Sequence, residues 1–255
     1  DPFSPFALFA QGRVLLARGD LGDARDALGQ AAALSPNLPG LQESLGAVYL
    51  RLDLPLRAET AYRAALQQNP GMAELHAGLG AALHAQGKIA EAEKEYRFAL
   101  DKEPKNSTAR VRLAQLLIQQ GQLDAAQQEL QKGTAETPER GLLWVQMAEN
   151  SLYRQRLQEA LEYALRGVNL LPNSSLARYQ LGRVYLEMDR VVQAETQFRR
   201  AVALDPQNAQ ALYALGVVRE RTQSGLWAAA LSPGAAAVGS SSSTLTLQNL
   251  QSPGA

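Results

Sequence analysis

Leu79–Pro104 reads LGAALHAQGKIAEAEKEYRFALDKEP. Two helical patterns meet there at one tight turn. The first stops at Gly87, since glycine takes the left-handed backbone that ends a helix without a Cβ clash. The second puts Ala92, Tyr96, Ala99 and Leu100 on one face, at spacings of three and four. Pro104 closes it, because proline has no N–H to donate and its ring crowds the turn before. The unit then recurs. Proline stands at Pro36, Pro70, Pro104, Pro138, Pro172 and Pro206, always 34 residues apart. Alanine stands at Ala24, Ala58, Ala92, Ala126, Ala160 and Ala194 on the same period. The chain therefore reads as a stack in which each unit packs on its neighbours, free of the size limit of a single core.

Over residues 5 to 222 this pattern resembles the tetratricopeptide repeat. The family's first helix carries Trp-x2-Leu-Gly-x2-Tyr. Here it appears as Gln42-x2-Leu45-Gly46-x2-Tyr49, as His76-x2-Leu79-Gly80-x2-Leu83 and as Arg178-x2-Leu181-Gly182-x2-Tyr185. The aromatic residue of its second helix appears as Tyr62, Tyr96 and Phe198. Trp144 alone keeps the leading tryptophan, in a repeat with Ala148 for glycine and Ser151 for tyrosine. The resemblance implies an all-α, right-handed superhelical solenoid. Its six full repeats fall at 5–38, 39–72, 73–106, 107–140, 141–174 and 175–208, and the first helix of a seventh at 209–222, so that 1–223 is one array. Gly133 and Gly167 stand where other repeats have alanine. A mid-helix glycine costs roughly 0.5–1 kcal/mol relative to alanine, which marks repeats four and five as expected weak links.

Composition narrows the function. Twenty-five basic and 25 acidic residues cancel, whereas an electrostatic grip on nucleic acid needs a basic excess or stripe. With no cysteine, a disulfide framework, a thiolate nucleophile and a cysteine metal site are all excluded. No apolar run is long enough to predict a transmembrane helix. The sequence has neither a Gly-rich phosphate loop nor a dinucleotide fingerprint. The only histidines are His76 and His84. Eight residues apart on one helix, they lie about 80° apart around its axis, a poor metal pair. His76 takes the place of the packing tryptophan and reads as a half-buried structural residue, while His84 is expected on the concave side. No catalytic, cofactor-binding or metal-binding residue is expected, no cofactor is called for, and the chain is read as having no enzyme activity of its own. Its compartment stays open between cytoplasm and bacterial periplasm. Asp1 in first place leaves a removed leader or a fragment equally open.

In this family the first helix of each repeat lines the inside of the superhelix, and ligands bind there. One inner line of this chain runs Phe9, Glu43, Ala77, Val111, Val145, Tyr179, Tyr213. A second, one turn on, runs Arg13, Ala47, Ala81, Gln115, Glu149, Arg183, Val217. Aromatic and arginine residues are the usual interface anchors, and they gather toward the C-terminal half. The expected partner-binding residues are therefore Val145, Glu149, Tyr153, Tyr179, Arg183 and Tyr213. Two ligand codes of the family are missing: the lysine–asparagine clamp for a terminal carboxylate, and the asparagine ladder of the sugar-transferring relatives. The ladder line here is Ala10, Ser44, Gly78, Arg112, Gln146, Gln180, Ala214. The resemblance implies a scaffold or adaptor that holds a partner protein or peptide in the concave groove. The alternative is the non-catalytic arm of a larger multidomain enzyme or of a secretion or assembly complex.

Asn106-Ser-Thr and Asn173-Ser-Ser match the glycosylation sequon, but each stands at a helix start, where asparagine and serine serve as caps. Residues 224–255 contain no charged side chain. This tail is expected to be largely disordered, with a short capping helix at 225–231. The unpaired end of the array at 209–231 is a candidate for self-association.

Overall fold

The computed structural model describes residues 4–230, with side chains to residue 222. Thirteen α-helices account for nearly all of it. In chain order they are α1 Pro5–Arg18, α2 Leu21–Leu34, α3 Leu41–Arg51, α4 Pro55–Gln68, α5 Ala73–Ala85, α6 Ile89–Lys102 and α7 Ser107–Gln119. Then come α8 Leu123–Glu136, α9 Gly141–Tyr153, α10 Leu157–Leu170, α11 Ser175–Glu187, α12 Val191–Leu204 and α13 Ala209–Ala230. The architecture is an all-α helical repeat solenoid.

Local chemistry sets the breaks. In each pair the turn between the two helices contains one residue in the left-handed region: Gly19, Asp53, Gly87, Gly121, Gln155 and Asp189. These six are 34 residues apart, so the backbone demand repeats even where glycine does not. Four helix starts, those of α1, α7, α11 and α13, are capped by side chains that fill otherwise unpaired backbone N–H groups. Ser4 accepts from Ala7 N at 3.2 Å, Asn106 from Ala109 N at 2.9 Å and Asn208 from Ala211 N at 3.0 Å. Of the two sequons, Asn106 is itself the cap and is buried, whereas at the second the cap is Ser174.

Each helix packs on the next, and the odd-numbered helices also touch one another in succession from α1 to α13. Among the described residues the even-numbered helices form no comparable line. The layer whose helices meet lies at the smaller radius, so the odd-numbered helices line the concave side. The core runs as a chain of linked clusters from Leu8 to Val218. Its tightest joints pair a ring with a backbone. The Tyr62 ring lies against both Gly46 and Gly78, Tyr96 against Gly80 and Phe198 against Gly182.

Gly133 and Gly167 are closely packed in repeats four and five. A Cβ on Gly133 would meet Arg110 Cδ at 2.6 Å and Leu143 Cδ2 at 2.9 Å. One on Gly167 would meet Val145 Cγ2 at 2.9 Å. Their missing side chains admit neighbours, so packing there is close.

The C-terminal end departs from expectation. The helix that begins at Ala209 does not stop at Thr222; α13 continues to Ala230. Gln223-Ser-Gly-Leu-Trp-Ala-Ala-Ala holds one glycine and no proline, and one glycine alone does not break a helix. The separate capping helix expected at 225–231 is thus, as far as Ala230, the last turns of α13. The remainder of the tail lies outside the described residues.

Candidate functional site

Three recesses follow one another along the odd-numbered helices. The first, of about 320 Å³, is lined by Tyr62, Glu74, Gly78, Ala81 and Arg112 among others. The second, of about 380 Å³, shares Arg112 and Arg140 with it and adds Val111, Gln115, Leu142 and Leu176. The third, of about 400 Å³, shares Gln115, Gln146 and Leu176 with the second. Because neighbours share walls, the three form one groove.

Tyr62 is an uncharged part of the first recess lining, and Tyr96 is buried in the core with it. Burial pushes the Tyr62 and Tyr96 phenols up to about 12, against the pull of the Arg112 charge nearby. Burial and the neighbouring Glu74 raise the Glu43 carboxyl, with Arg13 opposing them. Small residues, Gly78 and Ala81, leave room in this recess.

The third recess is built around Arg183 on α11. Its Nη1 donates to Glu149 Oε1 on α9 at 3.3 Å and to Gln180 Oε1 at 3.2 Å. Its guanidinium lies 5.9 Å from the centres of both the Tyr153 and Tyr179 rings, within cation–π range. The Tyr179 ring rests in turn on Phe198, 5.9 Å between centres. Four of the six expected partner-binding residues, Glu149, Tyr153, Tyr179 and Arg183, thus line one recess. Tyr153 is 55% exposed.

The other two stand elsewhere. Val145 is 1% exposed and belongs to the core with Ala148, Ala164 and Val168. Its expected groove position is corrected: Gly167 leaves a space on α10 that the valine fills, so no surface remains to meet a partner. Tyr213 is 77% exposed on α13 but is not part of the recess lining, to which α13 contributes Gln210. Leu212 and Val217 are exposed on the same helix.

The histidines serve the scaffold. His76 sits between Glu95 Oε2, 2.6 Å from Nδ1, and the Pro70 carbonyl, 2.9 Å from Nε2. His84 reaches Gln119 on the next odd-numbered helix at 2.7 Å. Among the described residues no cluster of histidine and carboxylates is arranged to hold a metal. Also among the described residues, no helix is long and apolar enough to cross a membrane.

Two residues of the ladder line, absent from the expected binding set, also belong to the third recess. Gln146 and Gln180 are 3% and 2% exposed and face the third recess. The one available signal was glutamine at the same repeat position in two successive repeats, where other repeats carry small residues or arginine.

Comparison with known proteins agrees with the architecture. Tetratricopeptide repeat models match residues 5–30, 44–97, 83–146 and 179–243. One similar solved structure is a chain of the APC/C hetero-tetramer Cut9–Hcn1, at 15% identity and a TM-score of 0.72. The match covers 85% of this chain and 43% of that one, so this chain spans less than half its length. Another is a tetratricopeptide repeat protein from Parabacteroides merdae, at 17% identity and a TM-score of 0.65, covering 89% and 90% of the two chains. No curated protein matches. The chain belongs to the tetratricopeptide repeat family. Its architecture is that of a protein-interaction scaffold.

Proposed function

We propose that the concave groove holds a partner protein or peptide, gripped chiefly in the third recess by Glu149, Tyr153, Tyr179 and Arg183, with Tyr213 beside it on α13. The observation that carries this reading is the Arg183 network. One guanidinium is held by a carboxylate and an amide and flanked by two tyrosines, one of them more than half exposed. Rings and arginine fixed before contact lose little freedom on binding, which is what makes such residues anchors. The balanced charge of the chain supports a protein partner over nucleic acid. We read the chain as a scaffold without chemistry of its own.

The test uses the partner recovered from native lysate on the immobilised chain. Tyr153→Ala should weaken its binding by about 1–2 kcal/mol with no change in thermal stability, since the ring is exposed. Unchanged affinity in both Tyr153→Ala and Arg183→Ala would place the contact elsewhere.

A further inference from the structure

We infer that α13 pairs antiparallel with α13 of a second copy of this chain about a two-fold axis, Leu212 of each copy seating against Gly216 of the other. The inference goes beyond the groove reading, and neither residue lines the third recess.

Every first helix of the array carries a small residue at one repeat position: Gly12, Gly46, Gly80, Ala114, Ala148, Gly182 and Gly216. In the six full repeats that position is covered. A Cβ on Gly12 would fall 2.5 Å from Leu28 Cγ, and one on Gly182 2.5 Å from Phe198 Cε1, both on the second helix of the same repeat. Ala114 and Ala148 are fully buried. A Cβ on Gly216 would meet nothing within 4 Å among the described residues. The contrast repeats one turn back. Leu8 is 6% exposed, whereas Leu212, at the same repeat position, is 45% exposed. The seventh repeat thus has the seat for a second helix and leaves it open.

The chain does not turn back to fill it. The left-handed residues of the inner turns run from Gly19 to Asp189, and the next position in register is Gln223. There α13 continues as helix to Ala230. Its end lies about 21 Å along the axis from Gly216. Residues 231–255 carry Pro233, Gly234, Gly239 and four serines in a row, unlike any second helix of repeats one to six.

What fits the seat is a helix antiparallel to α13 that brings a bulky apolar side chain to Gly216. α13 itself offers one. Ala209, Leu212, Gly216 and Arg219 follow at spacings of three and four, on one face. A two-fold contact requires that each copy give what it receives. Leu212 and Gly216, one turn apart on one exposed face, meet that condition. Leucine against glycine is also the joint already made by Leu28 and Gly12. The pairing sets Ala209 opposite Arg219 of the second copy, so no like charges meet. Tyr213, about 100° round the helix from Leu212, stays outside the contact and open to a groove partner. Residues 209–219 overlap with their counterparts over about 16 Å of helix. That is a small contact, at or below the roughly 1,200 Å² of a stable interface, so the dimer is reversible.

Sedimentation velocity of the whole chain, from low to high micromolar concentration, should show a shift from monomer to dimer and nothing larger. Gly216→Lys and Leu212→Gln should each raise the concentration needed about tenfold or more. Both positions are exposed, so the melting temperature of the monomer should hold, or rise for Gly216→Lys, since lysine favours helix over glycine. The chain has no cysteine, so introduced ones report the register. A mixture of Leu212→Cys and Gly216→Cys should cross-link under mild oxidation. Either variant alone should not, because its two sites then lie beyond the about 7 Å between Cα atoms that a disulfide spans. A chain that stays monomeric throughout overturns the inference. The face then belongs to the chain's own tail if Leu212→Gln lowers the melting temperature, and to another protein's helix if it does not. A dimer that survives both Gly216→Lys and Leu212→Gln also overturns it. So does a ladder of covalent trimers and tetramers from the double variant Leu212→Cys/Gly216→Cys, which marks head-to-tail stacking.

Discussion

The indole Nε1 of Trp144 donates to the carbonyl of Pro138 at 2.8 Å. That carbonyl lies in the turn between two repeats, six residues back. The same reach is made by Gln42 to Pro36 at 3.3 Å, by His76 to Pro70 at 2.9 Å and by Arg178 to Pro172 at 3.2 Å. Arg110 makes it to Pro104, and its guanidinium also binds Glu129 and Glu136. What persists along this line is an N–H donor, on four different side chains. Leu8 and Leu212 hold the position at the two ends of the array and have nothing to donate.

Trp144→Phe keeps an aromatic ring and removes the donor. The Pro138 carbonyl then loses its partner, and the protein should lose about 1–2 kcal/mol of stability. Urea unfolding at matched protein concentration measures this. An unchanged midpoint would mean that the indole acts through packing alone, with Tyr163 and with Arg166, whose guanidinium lies 3.9 Å from the ring centre.

The left-handed turn residue makes a second contrast. Gln155 holds φ at 61°, where glycine pays no Cβ penalty, and Gly87 holds it at 75°. Gln155→Gly should stabilise the chain by about 0.5–1 kcal/mol, and Gly87→Ala should destabilise it by about 1 kcal/mol. Melting temperatures that move in the same direction for both would contradict this.

Glycines inside helices divide by what surrounds them. A Cβ on Gly80 would fall 2.6 Å from Tyr96 Cε1, whereas one on Gly29 meets nothing within 4 Å. Gly80→Ala should cost about 1–3 kcal/mol through overpacking. Gly29→Ala should gain about 0.5–1 kcal/mol, because only the unfolded chain is affected. Calorimetry of the two variants reads both signs in one experiment.

Glu59 ties repeat two to repeat three and makes their junction acid-sensitive. Burial works to raise its carboxyl, and hydrogen bonds from Gln86, Lys88 and Arg63 outweigh it, holding it at about 2 against an ordinary 4.5. The folded value is depressed, so the contribution is fully present above pH 4.5 and fades as the pH falls toward 2. Lys88 and Arg63 are partly exposed, and solvent screens the pairs, leaving a contribution of up to about 1 kcal/mol. Glu59→Gln should therefore be less stable than wild type at neutral pH, and the gap should close through that acid window. A gap that stays constant from neutral pH down to pH 2.5 would exclude the linkage.

The repeat itself was legible because local backbone chemistry writes it. Pro104 must end a helix, Gly87 must take the left turn, and both requirements recur at fixed spacing. The groove was legible only in part. Glu149, Tyr153, Tyr179 and Arg183 are neighbours because they share a register on α9 and α11, and register can be read from spacing. Val145 shares that register and is still buried, because its fate depends on a glycine on another helix. Gly167, marked for the helix cost of its missing side chain, is also a seat for that valine. Gln146 and Gln180 were read only as a missing asparagine ladder, because their burial depends on neighbours that a one-dimensional pattern does not record. Where α13 ends was misread from one glycine and a change of composition.

The residues that wedge between the two helices of a repeat, Leu28, Tyr62, Tyr96, Leu130, Ala164 and Phe198, act as shims. Bulk on one side is met by a small residue on the other: Phe198 faces Gly182, and Leu28 faces Gly12. The thickness of each shim sets the angle at its joint. Repeats touch only their neighbours, so an error of angle is passed on undiminished, and the far end of the array swings in proportion to its distance. A change of bulk at Leu130, in repeat four, would move the third recess relative to the first without altering a single lining residue. Curvature can thus be tuned from the interior, at positions no ligand ever reaches.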